Sequence, residues 1–260
     1  MTVLAQQIIG AALGLFHAGL VSETSGNISV RCPDGDRMLI TPSGRDCRLL
    51  AERDLVLVQL HSGGSEGRLR PSSEWQLHAA IYRARQDVGA VIHHHATWAS
   101  AIAVARRSIP VLIDEAADLG PVPAVPYAPS GSQALADAAA TEFAQGRNAA
   151  LLVNHGAVVG GRDLHEAFRF ASEVERLAKI FIGAELMGGA HPLDEREVRR
   201  GREFFAAYRP AAVSEPPWAP GVLAASGGHV RLHDVVSYAF RAGITFASLL
   251  ESAILRKPHR

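Results

Sequence analysis

The sequence predicts an α/β protein, in which helices and short strands alternate along 260 residues. Three observations carry that expectation. Apolar residues recur at helical spacing near the start (Ile8, Ile9, Ala12, Phe16, Leu20) and again later (Leu164, Ala167, Phe168, Ala171, Val174, Ala178, Phe181, Ile182). Between these stretches lie short apolar runs, such as residues 55–60 and 149–153, bounded by Gly, Pro, Asn and Ser. One such run, Val88-Gly89-Ala90-Val91-Ile92, leads directly into His93-His94-His95.

Taken in order, the first helix runs to about Leu20, with Gly19 as its stop. Gly26-Asn27 is turn chemistry, Ile28-Ser29-Val30 alternates as a strand, and Met38-Leu39-Ile40 is a second strand. That strand ends in Thr41-Pro42-Ser43-Gly44, a tight loop that can aim backbone N–H groups at an anion. Residues 55–60 are a strand and residues 61–69 a hairpin loop. Pro71-Ser72-Ser73-Glu74 opens a helix with a serine able to cap it, and a helix N-terminus binds phosphate readily. Its apolar face is Leu77, Ala80, Ile81 and Ala84. After the histidines come a short helix over 98–105, a strand over 109–113, and Asp114-Glu115, facing either the histidines or solvent. Residues 120–129 hold four prolines and read as an extended connection, partly strand. Ser130 or Ser132 caps the next helix, which Gly146 ends. Residues 149–153 and 157–159 are strands joined at His155-Gly156. Asp163 caps the longest helix, which frays near Gly188-Gly189, and residues 193–208 are a last helical stretch. The length allows one large domain or two small ones, and the composition changes after Arg209. Residues 210–260 are a C-terminal extension, linker-like and then amphipathic.

Composition narrows the function classes. With 26 basic and 26 acidic residues the formal net charge is zero, which favours neither nucleic acid nor an anionic membrane as partner. Residues 1–22 carry no charged side chain. They also lack the basic start of a signal peptide, and Gln6, Gln7 and His17 interrupt them, so an amphipathic helix is expected there. Cys32 and Cys47 are too few for a disulfide framework or a cysteine zinc site, which fits a reducing cytoplasm.

Side chains alternate across a strand, so His93 and His95 point one way and His94 the other. Two imidazoles so placed are half of a divalent-metal site. Zinc performing chemistry takes a third protein ligand and keeps an open position. His155 at the end of another apolar run is the candidate third ligand. The alternative is a plain surface run of histidines on an edge strand. Glu74 is either an acid favoured by the helix dipole or a functional carboxylate beside the histidines.

Five motifs in order, Gly26-Asn27-Ile28-Ser29, Thr41-Pro42-Ser43-Gly44, Pro71-Ser72-Ser73-Glu74, His93-His94-His95 and Asn154-His155-Gly156, resemble those of the class II, zinc-dependent sugar-phosphate aldolases, the aldolase/adducin family. The resemblance extends over roughly residues 1–209. It implies a single domain with a mainly antiparallel central sheet, helices on both faces, and a homotetramer with active sites between subunits. It implies one Zn²⁺ per subunit, or another divalent cation, on His93, His95 and His155. Asn27, Ser43, Gly44, Ser72 and Ser73 would hold the phosphate of a small-molecule sugar phosphate. Glu74 would be the base, and Tyr208 would donate a proton in a neighbouring subunit. A second tyrosine that lines the family's site falls at Asp114, a departure bearing on the aldehyde. The implied reaction is reversible retro-aldol cleavage of a ketose 1-phosphate, such as L-fuculose 1-phosphate or a 5-deoxypentulose 1-phosphate, to dihydroxyacetone phosphate and an aldehyde. Epimerases resembling the family carry Asp where Glu74 stands. Dehydration and decarboxylation of a sugar phosphate remain alternatives, as does a non-catalytic module like the adducin head.

Overall fold

A computed structural model describes residues 2–208, excepting the side chains of Ala206 and Tyr208. The expected extension over 210–260 therefore lies outside the described residues, and so does the Tyr208 side chain. Eight strands form one sheet in the order β4-β3-β2-β1-β5-β8-β7-β6. They are β1 (Asn27–Arg31), β2 (Arg37–Ile40), β3 (Val56–Gln59), β4 (Ser65–Glu66), β5 (Ala90–His94), β6 (Ala124–Val125), β7 (Ala149–Leu152) and β8 (Gly156–Gly161). Every neighbouring pair is antiparallel except β6 with β7. The helices are α1 (Thr2–His17), α2 (Trp75–Ala84), α3 (Thr97–Val104), α4 (Gln133–Ala144), α5 (Leu164–Leu186) and α6 (Glu195–Tyr208).

Strand alternation divides the core in two. Ile28 and Val30 of β1, Ala90 and Ile92 of β5, and Ala157 and Val159 of β8 pack with the apolar faces of α1, α3 and α5. Met38, Ile40, Val91, Ala150, Leu152 and Val158 face the other way, onto α2 and α4. Helices on both faces of a mainly antiparallel sheet are the architecture expected. Among the described residues no helix is long and apolar enough to cross a membrane.

The helix ends follow their capping chemistry. Gly19 at φ 70° and Gly188 at φ 117° take left-handed backbone just past α1 and α5. Asp163 accepts the Glu166 N–H at 2.8 Å at the start of α5. Ser132, rather than Ser130, caps α4 by accepting the Leu135 N–H at 3.2 Å. At α2 the expected serine cap is replaced. Glu74 is the N-cap residue without a side-chain capping bond, and Ser72 Oγ accepts the Glu74 N–H at 3.3 Å.

One expected strand does not form. Residues 109–113 contribute only a single bridge, Ile109 to Val122. Pro110 has no N–H to continue a ladder. Asp114–Ala117 is a 3-10 turn, with Asp114 and Glu115 exposed. Glu115 pairs with Arg176 of α5 at 2.6 Å rather than with the histidines.

One buried seam between β1 and α2 is polar. Asn27, Ser29 and Arg31 alternate onto one face of β1, and Glu74, His78 and Tyr82 recur every fourth residue along α2. The two rows meet in a run of hydrogen bonds. At its far end the Arg31 guanidinium lies 4.7 Å over the Tyr82 ring and donates to the carbonyls of Tyr82 and Arg85, closing the C-terminal end of α2.

The Asp163 cap gives a direct check on this assembly. Asp163→Ala is expected to lower stability by about 1 kcal/mol, read as a lower urea midpoint with an unchanged slope.

Candidate metal centre

β5 lies in the middle of the sheet, between β1 and β8, so the three histidines do not form a surface run on an edge. His93 sits opposite Asn27 on β1 and Val158 on β8, and its ring shares the α2 face with Val91. His94 turns to the opposite face and is fully buried, with the Ala96 N–H donating to its Nδ1 at 3.4 Å. His95, one residue past the strand, brings its Nε2 to 2.8 Å from His93 Nε2.

The hairpin between β7 and β8 delivers the third ring. Asn154 takes left-handed backbone at φ 57°, which an asparagine tolerates, and the chain reverses so that His155 faces β5. A Cβ on Gly156 would lie 2.4 Å from the His94 carbonyl oxygen and 2.7 Å from the His95 ring, so only glycine lets the hairpin approach this closely. The three ring centroids of His93, His95 and His155 are 4.6, 4.8 and 5.0 Å apart.

Glu74 reaches into this triangle from the start of α2. Its Oε2 lies 3.0 Å from His93 Nε2 and accepts from Asn27 Nδ2 at 3.0 Å. Its Oε1 accepts from Ser130 Oγ at 3.0 Å and lies 3.5 Å from His155 Nε2. Burial pushes the Glu74 pKa up. Positive charge at the His93 and His155 positions, with the Asn27 amide, outweighs it and holds the carboxyl well below its ordinary range, a charge that a cation among neutral rings would equally supply. The His95 ring is pushed down to about 4 by burial, then by the neighbouring imidazoles. His155 is shifted down for the same reasons. Both shifts favour neutral rings, the form that binds metal.

The donor set fits a cation such as zinc. His93 Nδ1 is 2.9 Å from the Ala157 carbonyl, which can only accept, so Nδ1 carries the proton and Nε2 presents a lone pair. That lone pair faces His95 Nε2 and a carboxylate oxygen, an arrangement that repels unless a proton or a cation sits among them. One atom from each of Glu74, His93, His95 and His155 lies within 4.8 Å of the others. Tetrahedral zinc, with bonds of about 2.0–2.1 Å, draws nitrogen and oxygen ligands of this kind together.

The two serine loops lie side by side. Ser43 N–H donates to Arg70 O at 3.1 Å and Ser72 N–H to Thr41 O at 3.0 Å, so these N–H groups join the loops to each other. Ser43, Gly44 and Ser73 are exposed, and the Ser43 and Ser73 hydroxyls make no hydrogen bond among the described residues. Ser72 is buried. Asn27, expected at the phosphate, directs its amide to Glu74 and to His78 and keeps a second Nδ2 hydrogen beyond the one given to Glu74.

Two residues at the site were not read from the sequence as functional. Ser130 was only an alternative helix cap, yet it holds Glu74. His78 stood unremarked in α2, one turn beyond Glu74, and is fully buried with its pKa pushed down to about 3 by burial and then by the charge of His93.

The family pattern described as "Class II Aldolase and Adducin N-terminal domain" matches residues 6–182. The chain is 37% identical over 208 residues to the L-fuculose phosphate aldolase of Escherichia coli K12, covering 79% of this chain and 95% of that protein. It is 36% identical over 213 residues to the 5-methylthioribulose-1-phosphate/5-deoxyribulose-1-phosphate aldolase of Rhodospirillum rubrum, covering 81% and 95%. A solved L-fuculose 1-phosphate aldolase superposes with a TM-score of 0.76 at 35% identity, covering 79% of this chain and 97% of that one.

Two outcomes are expected from this geometry. His93→Ala and His155→Ala lose bound divalent cation on dialysis, whereas His94→Ala retains it and melts at lower temperature because it leaves a cavity. Metal content and thermal melting read both, and the reverse pattern at His93 and His94 would mean that the face assignment is wrong. The second concerns acid. Unfolded histidine takes up a proton near pH 6.5, whereas burial holds folded His78 and His94 down to about 3. The unfolded chain therefore binds more protons between these values. Stability falls as pH drops from about 6.5 towards 3, by up to ~1.4 kcal/mol per pH unit for each ring. Urea midpoints at pH 7 and pH 5 measure the slope.

Proposed function

Because the chain belongs to the class II aldolase and adducin family, we propose that it is a zinc-dependent aldolase, cleaving a ketose 1-phosphate reversibly to dihydroxyacetone phosphate and an aldehyde. The observation that carries the reading is the convergence of three imidazoles on the buried Glu74 carboxylate.

His93, His95 and His155 are assigned as the ligands of one zinc ion. Bound there, zinc supplies Lewis-acid stabilisation of negative charge on the oxygens beside the breaking carbon–carbon bond. The remaining chemistry falls to the chain's own side chains. In cleavage the hydroxyl proton of the carbinol carbon leaves through Tyr208 to solvent as that carbon becomes the aldehyde, and the bonding pair passes to the carbonyl half. The carbon that gains the pair takes a proton from Glu74, which has first taken it up from solvent because the carboxyl is ionised at rest. In synthesis Glu74 removes that proton and Tyr208 delivers one to the aldehyde oxygen. Asn27 and Ser130, both within hydrogen-bonding distance of the carboxylate, hold it in place for the transfer.

Ser43, Gly44, Ser72 and Ser73 are assigned to the substrate phosphate. The support is their placement on two loops joined by backbone hydrogen bonds, with two exposed, unengaged hydroxyls. Binding energy from a phosphate remote from the reacting carbon is then available to orient it. The near-equal identity to fuculose-phosphate and 5-deoxyribulose-phosphate aldolases supports either a 6-deoxyketohexose or a 5-deoxypentulose 1-phosphate as substrate. We assign the enzyme to the cytoplasm, consistent with two free, buried cysteines, and as a homotetramer, as the family resemblance implies.

Retro-aldol release of dihydroxyacetone phosphate from a panel of ketose 1-phosphates and their unphosphorylated sugars tests the reading. Ser43→Ala and Ser72→Ala are expected to weaken binding of the phosphorylated sugars with metal content intact. Equal turnover of phosphorylated and free sugars would remove the phosphate assignment. Glu74→Gln is expected to slow solvent deuterium exchange into dihydroxyacetone phosphate by about 10²–10⁴-fold with zinc retained, while Tyr208→Phe keeps exchange and loses carbon–carbon bond formation.

A further inference from the structure

We infer that His78 is a positioning residue for Glu74, acting through Asn27, in the middle of a one-way hydrogen-bond chain that runs Tyr82–Ser29–His78–Asn27–Glu74. The inference deepens the reading of Glu74 as the base and rests on it.

The direction of the chain follows from which groups can donate. An ionised carboxylate only accepts, so the group of Asn27 that lies 3.0 Å from Glu74 Oε2 is its NH₂. The other end of that amide, Oδ1, therefore faces His78 Nε2 at 2.5 Å and needs a donor there. His78 carries its proton on Nε2, which leaves Nδ1 of a neutral ring as an acceptor. Ser29 Oγ, 2.7 Å from Nδ1, must then donate. The Ser29 oxygen in turn accepts from the Tyr82 hydroxyl at 2.9 Å. Ser29, His78 and Tyr82 are wholly buried and Asn27 nearly so, and none of their buried side-chain polar atoms is left without a partner. An unsatisfied amide in such a seam is costly, so a ring donor on its oxygen locks the amide against a flip. A flipped Asn27 would point its oxygen at the carboxylate and turn the base away from the reacting carbon.

Two measurements on the full chain decide this. Long-range ¹H–¹⁵N correlation of the histidine rings, with His78→Gln used to assign the signal, is expected to show a neutral His78 protonated on Nε2 at pH 7. A ring protonated on Nδ1, or on both nitrogens, overturns the inference whether or not the protein is an aldolase. In the zinc-loaded enzyme, His78→Leu is expected to lower kcat by about 10–100-fold, with KM for the ketose 1-phosphate and zinc content near those of the parent. His78→Gln, whose side-chain NH₂ can donate to Asn27, is expected to recover most of that loss. An equal loss in both variants, or an effect confined to KM, overturns it. If His78→Leu fails to fold, the ring tautomer and the kcat of His78→Gln still decide. Failure of the parent enzyme to turn over any ketose 1-phosphate counts against the aldolase reading instead, and leaves the tautomer to judge the positioning role.

Discussion

The structure depends on keeping one carboxylate ionised where water barely reaches. Removing a charge from solvent costs several kcal/mol unless partners surround it. Here the partners come from four separate places: Asn27 on β1, His93 on β5, Ser130 before α4, and His155 in the β7–β8 turn. None is local to Glu74 in sequence, so the carboxylate is stable only when the centre of the sheet, α2 and the loop before α4 are all in place. The same convergence underlies the proposed chemistry, because the groups around the carboxylate are also those assigned to hold a cation and a base.

Register is the second condition. A strand slipped by one residue exchanges its two faces. On β5 that would send His94 into the α2 side and bury His93 among the apolar residues packed on α1, α3 and α5. The pairings of His93 with Asn27 and with Val158 exclude the slip. Close approach reinforces them: a Cβ on Gly26 would lie 2.9 Å from the His93 carbonyl oxygen, and one on Gly156 would strike the His94 carbonyl. The glycines of two of the family motifs thus clamp the same short strand from either side.

Local rules made much of this legible. The alternation of His93, His94 and His95 needed only the period of a strand, and the helix stops at Gly19 and Gly188 needed only the left-handed freedom of glycine. Residues 109–113 misled because apolar content outweighed the missing N–H of Pro110. Ser130 was unreadable for another reason: two serines bracketing Gly131 are equal candidates for a cap until tertiary packing brings one of them to Glu74. The spacing of Glu74, His78 and Tyr82 was visible throughout. On a helix with an apolar face at Leu77, Ala80, Ile81 and Ala84, a polar row reads as the solvent side. Only the matching polar row on β1 shows that it is buried.

The spacing of the three imidazoles bears on when a complete set of candidate metal ligands exists during synthesis. His93 and His95 leave the ribosome near each other, whereas His155 follows 60 residues after His95, in the turn between β7 and β8. Until that turn emerges, a nascent chain offers two of the three imidazoles. The complete set exists only once β8 lies beside β5, so discrimination among cations by all three rings belongs to the folded sheet rather than to the loose chain.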